Sequence, residues 1–147
     1  MQKKEQLYGF GLNFQTVHQR GKILNLHVDH YGGRDNGRTH APVPFYISSS
    51  GYGVLINSAR YLTVYAGSGA RKDSPNAPVA KDRNMDKTWT SAPYSDAVSI
   101  LVPAPGAEIY LFAGPTPMDV VRRYNLLCGG GTLPPRWGLG FTQRTKK

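Results

Sequence analysis

The chain has 147 residues, 39% of them hydrophobic and 18% charged, with 17 Gly and 11 Pro. That is one domain's worth of core, and the turn-rich composition argues for a folded β protein over a helical bundle or a disordered tail. The formal net charge of +9 comes from 18 Lys and Arg dispersed along the chain, without the basic-aromatic motifs of nucleic-acid binders, so no nucleic-acid partner is expected.

In chain order, "LYGFGLNF" (residues 7–14) reads as a strand with a bend or a close backbone approach, because two glycines interrupt its aromatics. "KILNLHVD" (22–29) alternates, with Ile23, Asn25, His27 and Asp29 on one face and Leu24, Leu26 and Val28 on the other, as a half-buried strand does. "HYGGRDNGRTHAP" then reads as a loop. "VPFYIS" and "YGVLIN" follow, joined by "SSSG", with the spacing of a hairpin whose glycine supplies a positive φ. "RYLTVYAG" continues the meander. Residues 68–96 are polar and broken by Pro75, Pro78 and Pro93, predicting loop with one edge strand near Trp89, and "AVSILVPAPGAEIYLFAG" (97–114) predicts two strands around the turn at residues 103–106. One helix is predicted: Thr116 caps it, Pro117 takes its first position, Asp119 completes a capping-box-like pair and Gly129 ends it. Val121, Tyr124 and Cys128 share a stripe with Pro117 and predict that this helix lies on a sheet. "TLPPRWGLGF" is then a proline-marked link into an apolar strand.

Cys128 is the only cysteine, which excludes an internal disulfide and a multi-cysteine metal site; it is expected to pack as a small apolar residue at the helix end. The N-terminal "MQKKEQLYGFG" lacks the apolar stretch of a signal peptide, and no window approaches a membrane span, so no membrane partner is expected. Localisation stays open between the cytoplasm and a protein whose targeting segment lies outside this chain.

Four blocks carry a further signal: Tyr8-Gly9-Phe10-Gly11; Pro44-Phe45-Tyr46-Ile47 followed by Gly51-Tyr52-Gly53-Val54; Ala113-Gly114-Pro115-Thr116-Pro117 leading the helix; and Leu133-Pro134-Pro135-Arg136-Trp137 with Gly138-Leu139-Gly140-Phe141. In register over residues 7–143, they resemble glycoside hydrolase family 31, the α-glucosidase and α-xylosidase family. The resemblance implies a mainly β fold, an antiparallel β-sandwich of the galactose-mutarotase-like kind, with one short C-terminal helix and the start of a (β/α)₈ barrel. It divides the chain into an incomplete N-terminal sandwich domain over residues 1–132 and, over residues 133–147, a linker with the first barrel strand near Trp137.

In such enzymes two aspartates on the barrel perform retaining hydrolysis. No residue of this chain matches either, so the resemblance implies a non-catalytic N-terminal portion of an α-glycosidase that supports the barrel and shapes its substrate entrance, inactive alone. Its partners would be that barrel and an α-linked oligosaccharide or glycoside; no cofactor or metal is expected. One binding residue carries over: Asp29 in "HVDH", by its position ahead of Pro44-Phe45, matches the aspartate of a loop that hydrogen-bonds sugar hydroxyls at the barrel mouth. The family's usual Asn-Arg before it is His27-Val28 here.

Other residues invite structural readings. Asp29 and Asp35 can equally make Asx turns. His27 and His30, three apart on an extended strand, point to opposite faces and do not form a metal pair with His18 or His40. Ser48, Ser49 and Ser50 lack a nucleophile elbow. Tyr46, Tyr52, Tyr61 and Tyr65 read as a sheet surface. Trp137 is expected in the barrel core. The alternative class is a stand-alone β-sandwich module that binds carbohydrate or a polyanion.

Overall fold

The computed structural model describes residues 1–2, 4–13, 16–28, 38–39, 41–68, 79, 81–87, 89 and 94–139. Among these residues eight strands and one α-helix are formed: β1 (Leu7–Gly11), β2 (Lys22–Val28), β3 (Arg38–Thr39), β4 (Pro42–Ser48), β5 (Tyr52–Asn57), β6 (Leu62–Ser68), β7 (Tyr94–Leu101), β8 (Glu108–Ala113) and α1 (Pro117–Leu127). They make two four-stranded sheets, ordered β1-β4-β5-β8 and β3-β2-β6-β7. Every pairing is antiparallel except β2 with β3. The mainly β sandwich with one short helix is the architecture expected from the sequence.

Alternation on the strands builds the layers. Tyr46, Val54 and Ile56 from the first sheet meet Leu24, Leu26, Leu62 and Val64 from the second in one buried core, together with Leu7 and Phe10. The opposite face of the first sheet sends Phe45 and Phe112 outward onto Val120 of the helix, a second and smaller core. Tyr124 stacks on Phe45 with ring centroids 4.0 Å apart.

The bend foreseen in β1 is a bulge. Pairing with β4 slips between Gly9 and Gly11, and Phe10 takes a left-handed φ of 66° that turns its ring into the core against Tyr46, 4.9 Å away. The "SSSG" hairpin also forms as expected: Ser48 pairs with Tyr52, the Gly51 N–H donates to the Ser48 carbonyl, and Gly51 has φ 84°.

Helix α1 begins and ends as its residues predict. The Thr116 Oγ accepts from the Asp119 N–H. At the other end the Gly129 N–H donates to the Leu126 carbonyl and the Gly130 N–H to that of Asn125, a Schellman close. Its inward stripe differs from the expected one: Val120 is fully buried and Val121 half-buried. Cys128 is exposed instead of packed, since the apolar cluster ends at Tyr124.

Several expectations on strands are corrected. Arg38–Thr39 forms a two-residue strand inside the stretch read as loop. Strand β7 begins at Tyr94, three residues before its apolar part. The described residues near Trp89 form turns, not an edge strand. Tyr46 is buried rather than on a sheet surface. Where an apolar strand was expected from Trp137, Arg136–Leu139 is a 3-10 turn, with Trp137 85% exposed instead of in a core. Gly140 onward lies outside the described residues, and no barrel start is visible among those described.

Strand β8 closes the first sheet on one side only. Its Leu111 pairs with Val54 and its Ile109 with Ile56, so both share the face that builds the main core. Yet they are 78% and 62% exposed, because the second sheet does not cover that edge.

Candidate functional site

At one end of the sandwich three chain segments converge: the end of β2, the start of β4 and the start of β6. Leu26 pairs with Leu62 there, the last pair of β2 with β6 among the described residues, while Val28 pairs with Thr39 of β3. The opening is a cleft of about 140 Å³ lined by Leu26, Val28, Pro42, Pro44, Arg60 and Tyr61 among others. Val28 was expected on the buried face of β2 and is 60% exposed, because it stands at this mouth. Tyr61, 65% exposed, stacks on His27 with centroids 4.0 Å apart and planes 16° from parallel. The Arg60 N–H donates to the Ser58 Oγ, which shapes the turn into β6.

Asp29, the one sugar-binding candidate from sequence, follows Val28 directly but lies outside the described residues, as do Asp35, His30 and His40. His18 is exposed and bridges to Tyr8 of the first sheet, whereas His27 lies on β2 of the second. Among the described residues no group of three His, Cys, Asp or Glu side chains gathers as a metal site. Trp89 lies under the guanidinium of Arg83, 5.4 Å from its ring centre.

The carboxylates are dispersed. Six of the nine acidic residues are described, each with its own local partner. Asp82 accepts from the Asn84 N–H, Asp86 pairs with Lys81, Asp96 with Arg20, Glu108 accepts from Asn57, and Asp119 takes the Thr116 hydroxyl and Arg122.

Glu5 is the exception in burial, only 4% exposed. Its carboxylate accepts hydrogen bonds from the Ser48 and Tyr52 hydroxyls, both at 2.5 Å, and from the Gln2 N–H at 2.6 Å. Burial alone would raise its pKa; the bonds from Ser48, Tyr52 and Gln2, with the Met1 ammonium, outweigh it and hold the carboxyl below the ordinary glutamate value. Burial, and then the bond to this carboxylate, push the Tyr52 phenol up. Sequence reasoning missed this cluster. Ser48, fully buried, is thus a scaffold serine that also accepts from the Ser50 N–H in the hairpin turn.

Residues 1–64 match the family model of the glycosyl hydrolase 31 N-terminal galactose mutarotase-like domain. The two packed sheets agree with this match over residues 1–64, and the resemblance drawn from the four sequence blocks is borne out. Over 93% of its length the chain is 28% identical to alpha-xylosidase XylQ of Lactiplantibacillus pentosus, and 26% identical to an isomaltosyltransferase of Sporosarcina globispora. It spans 15% and 11% of the length of these relatives. Among solved structures it is similar to a cycloalternan-forming enzyme from Listeria monocytogenes in complex with a pentasaccharide substrate, with TM-score 0.60 and 26% identity, over 93% of this chain and 11% of that one.

Proposed function

We propose that this chain is the non-catalytic N-terminal portion of a retaining α-glycosidase, one that supports a catalytic barrel and shapes its substrate entrance. The observation that carries this reading is the similarity to α-xylosidase and isomaltosyltransferase sequences over 93% of the chain, against 15% and 11% of theirs. The carboxylates agree with it. A retaining glycosidase needs two carboxyl groups roughly 5 to 5.5 Å apart facing one sugar, whereas the six described carboxylates each hold separate partners: a turn, ion pairs, a helix cap, the Asn57 amide and the buried Glu5 cluster. In this reading the substrate is an α-linked oligosaccharide or glycoside, and Asp29 contributes one acceptor to a sugar hydroxyl at the barrel mouth.

Two measurements test it. The chain alone should release no nitrophenol from nitrophenyl α-glucoside or α-xyloside; turnover abolished by changing one of its residues would overturn the non-catalytic role. In an enzyme that carries this domain joined to its barrel, Asp29→Ala should lower kcat/KM by roughly 1 to 3 kcal/mol of transition-state binding. Unchanged kinetics with unchanged folding would reduce Asp29 to a turn former.

A further inference from the structure

We infer that the cleft at the β2, β4 and β6 end is a binding site for a single neutral pyranose ring, with Tyr61 as its stacking platform. The ligand class rests on the glycosidase reading above; the site itself rests on residues that reading does not use.

The cleft offers one broad aromatic face, apolar walls and a few polar groups at its rim, the composition of small-ligand sites. His27 covers one face of Tyr61, and at 65% exposure the ring still presents the other to solvent. Stacking on an imidazole fixes the phenol ring's orientation, so little rotamer freedom remains to be lost when a ligand arrives. A sugar ring has a C–H face suited to such a surface and a hydroxyl edge that needs donors and acceptors. Arg60 lines the same cleft, and its side chain makes no hydrogen bond or ion pair among the described residues. Its N–H groups can donate to hydroxyl oxygens.

Size and charge narrow the occupant. About 140 Å³ is below the ~300 Å³ at which drug-sized pockets begin, so the cleft suits one ring of a longer chain. An anion would have to exchange its water for a single cation, Arg60, beside the apolar walls Leu26, Val28, Pro42 and Pro44. A neutral ring does not have that requirement.

The experiment uses the 147-residue chain labelled with nitrogen-15, titrated with methyl α-glucopyranoside, methyl α-xylopyranoside or inorganic phosphate while amide shifts are followed. The inference expects saturable shifts at His27, Val28 and residues 58–62 with either glycoside. It further expects binding about tenfold weaker in Tyr61→Ala and unchanged in Tyr61→Phe, which keeps the ring. Tyr61 is exposed, so neither variant threatens the fold. No saturable shift at those amides, equal binding by Tyr61→Ala, or a response to phosphate alone overturns it. An Asp29→Ala chain separates the two readings. If it binds normally while Tyr61→Ala does not, the cleft stands whatever the kinetic test says of Asp29. If it loses binding while Tyr61→Ala keeps it, the cleft falls and the role of Asp29 gains support.

Discussion

Glu5 shows how far a single residue can depart from its sequence appearance. In "MQKKEQ" it sits in a charged, polar run that reads as solvated surface, and nothing local signals burial. Its partners Ser48 and Tyr52 lie 43 and 47 positions away on the hairpin, so only the folded register of β1 on β4 brings them together. The direction of its pKa fixes the sign of a pH effect. A carboxyl held lower in the folded state than in the unfolded chain stabilises the fold above the unfolded value, near 4.5, and that stabilisation is lost as pH falls through the folded value. Wild type should therefore weaken on acidification below about pH 5. Glu5→Gln should be less stable by about 1 to 3 kcal/mol at pH 7, because a charged acceptor of buried hydroxyls is lost, and should show a shallower acid slope. Urea melts at several pH values check this; parallel pH dependence in the two proteins would remove Glu5 from the account.

At the scale of elements, local chemistry was legible wherever it was local. The hairpin, the alternation of β2 and both ends of α1 follow from residues within a few positions of one another. The facing of α1 does not, because it is set by the surface it lands on. Gly53 of β5 leaves the gap into which the helix fits: a Cβ there would stand 2.5 Å from Val120 Cγ1 and 3.1 Å from the Phe45 ring. The helix sequence offers Val120 and Val121 equally, and the socket formed by Gly53, Phe45 and Phe112 selects Val120. Gly53→Ala should cost about 1 to 3 kcal/mol by overpacking, and Val120→Ala about 2 to 3 kcal/mol through lost burial and a cavity. The double variant should be less destabilised than the sum, since the second change vacates the space the first invades. Strict additivity in denaturant melts would mean that the helix does not rest on β5 as described.

For the whole molecule, the fold class was readable from composition and strand spacing, and the family resemblance from four short blocks in register. The cleft was not, because its walls come from three strand ends separated by up to 35 positions, from Leu26 through Pro42 and Pro44 to Tyr61, and each looks unremarkable alone. Strand β8 carries a different kind of consequence. Its sequence, "EIYLFA", combines β-branched, aromatic and aliphatic residues with a single charge and no proline, the make-up of segments that stack into cross-β fibrils. Held at a sheet margin with Ile109 and Leu111 uncovered, it offers a growing fibril both an open row of backbone groups and a dry face to zip against. Thioflavin fluorescence of the concentrated chain should rise after a lag that shortens with seeding. Leu111→Lys, which places a charge on that uncovered position, should lengthen the lag several-fold while leaving the melting temperature nearly unchanged. If the variant fibrillises as fast as wild type, nucleation starts elsewhere; if it does not, the uncovered margin of β8 is where the fibrils begin.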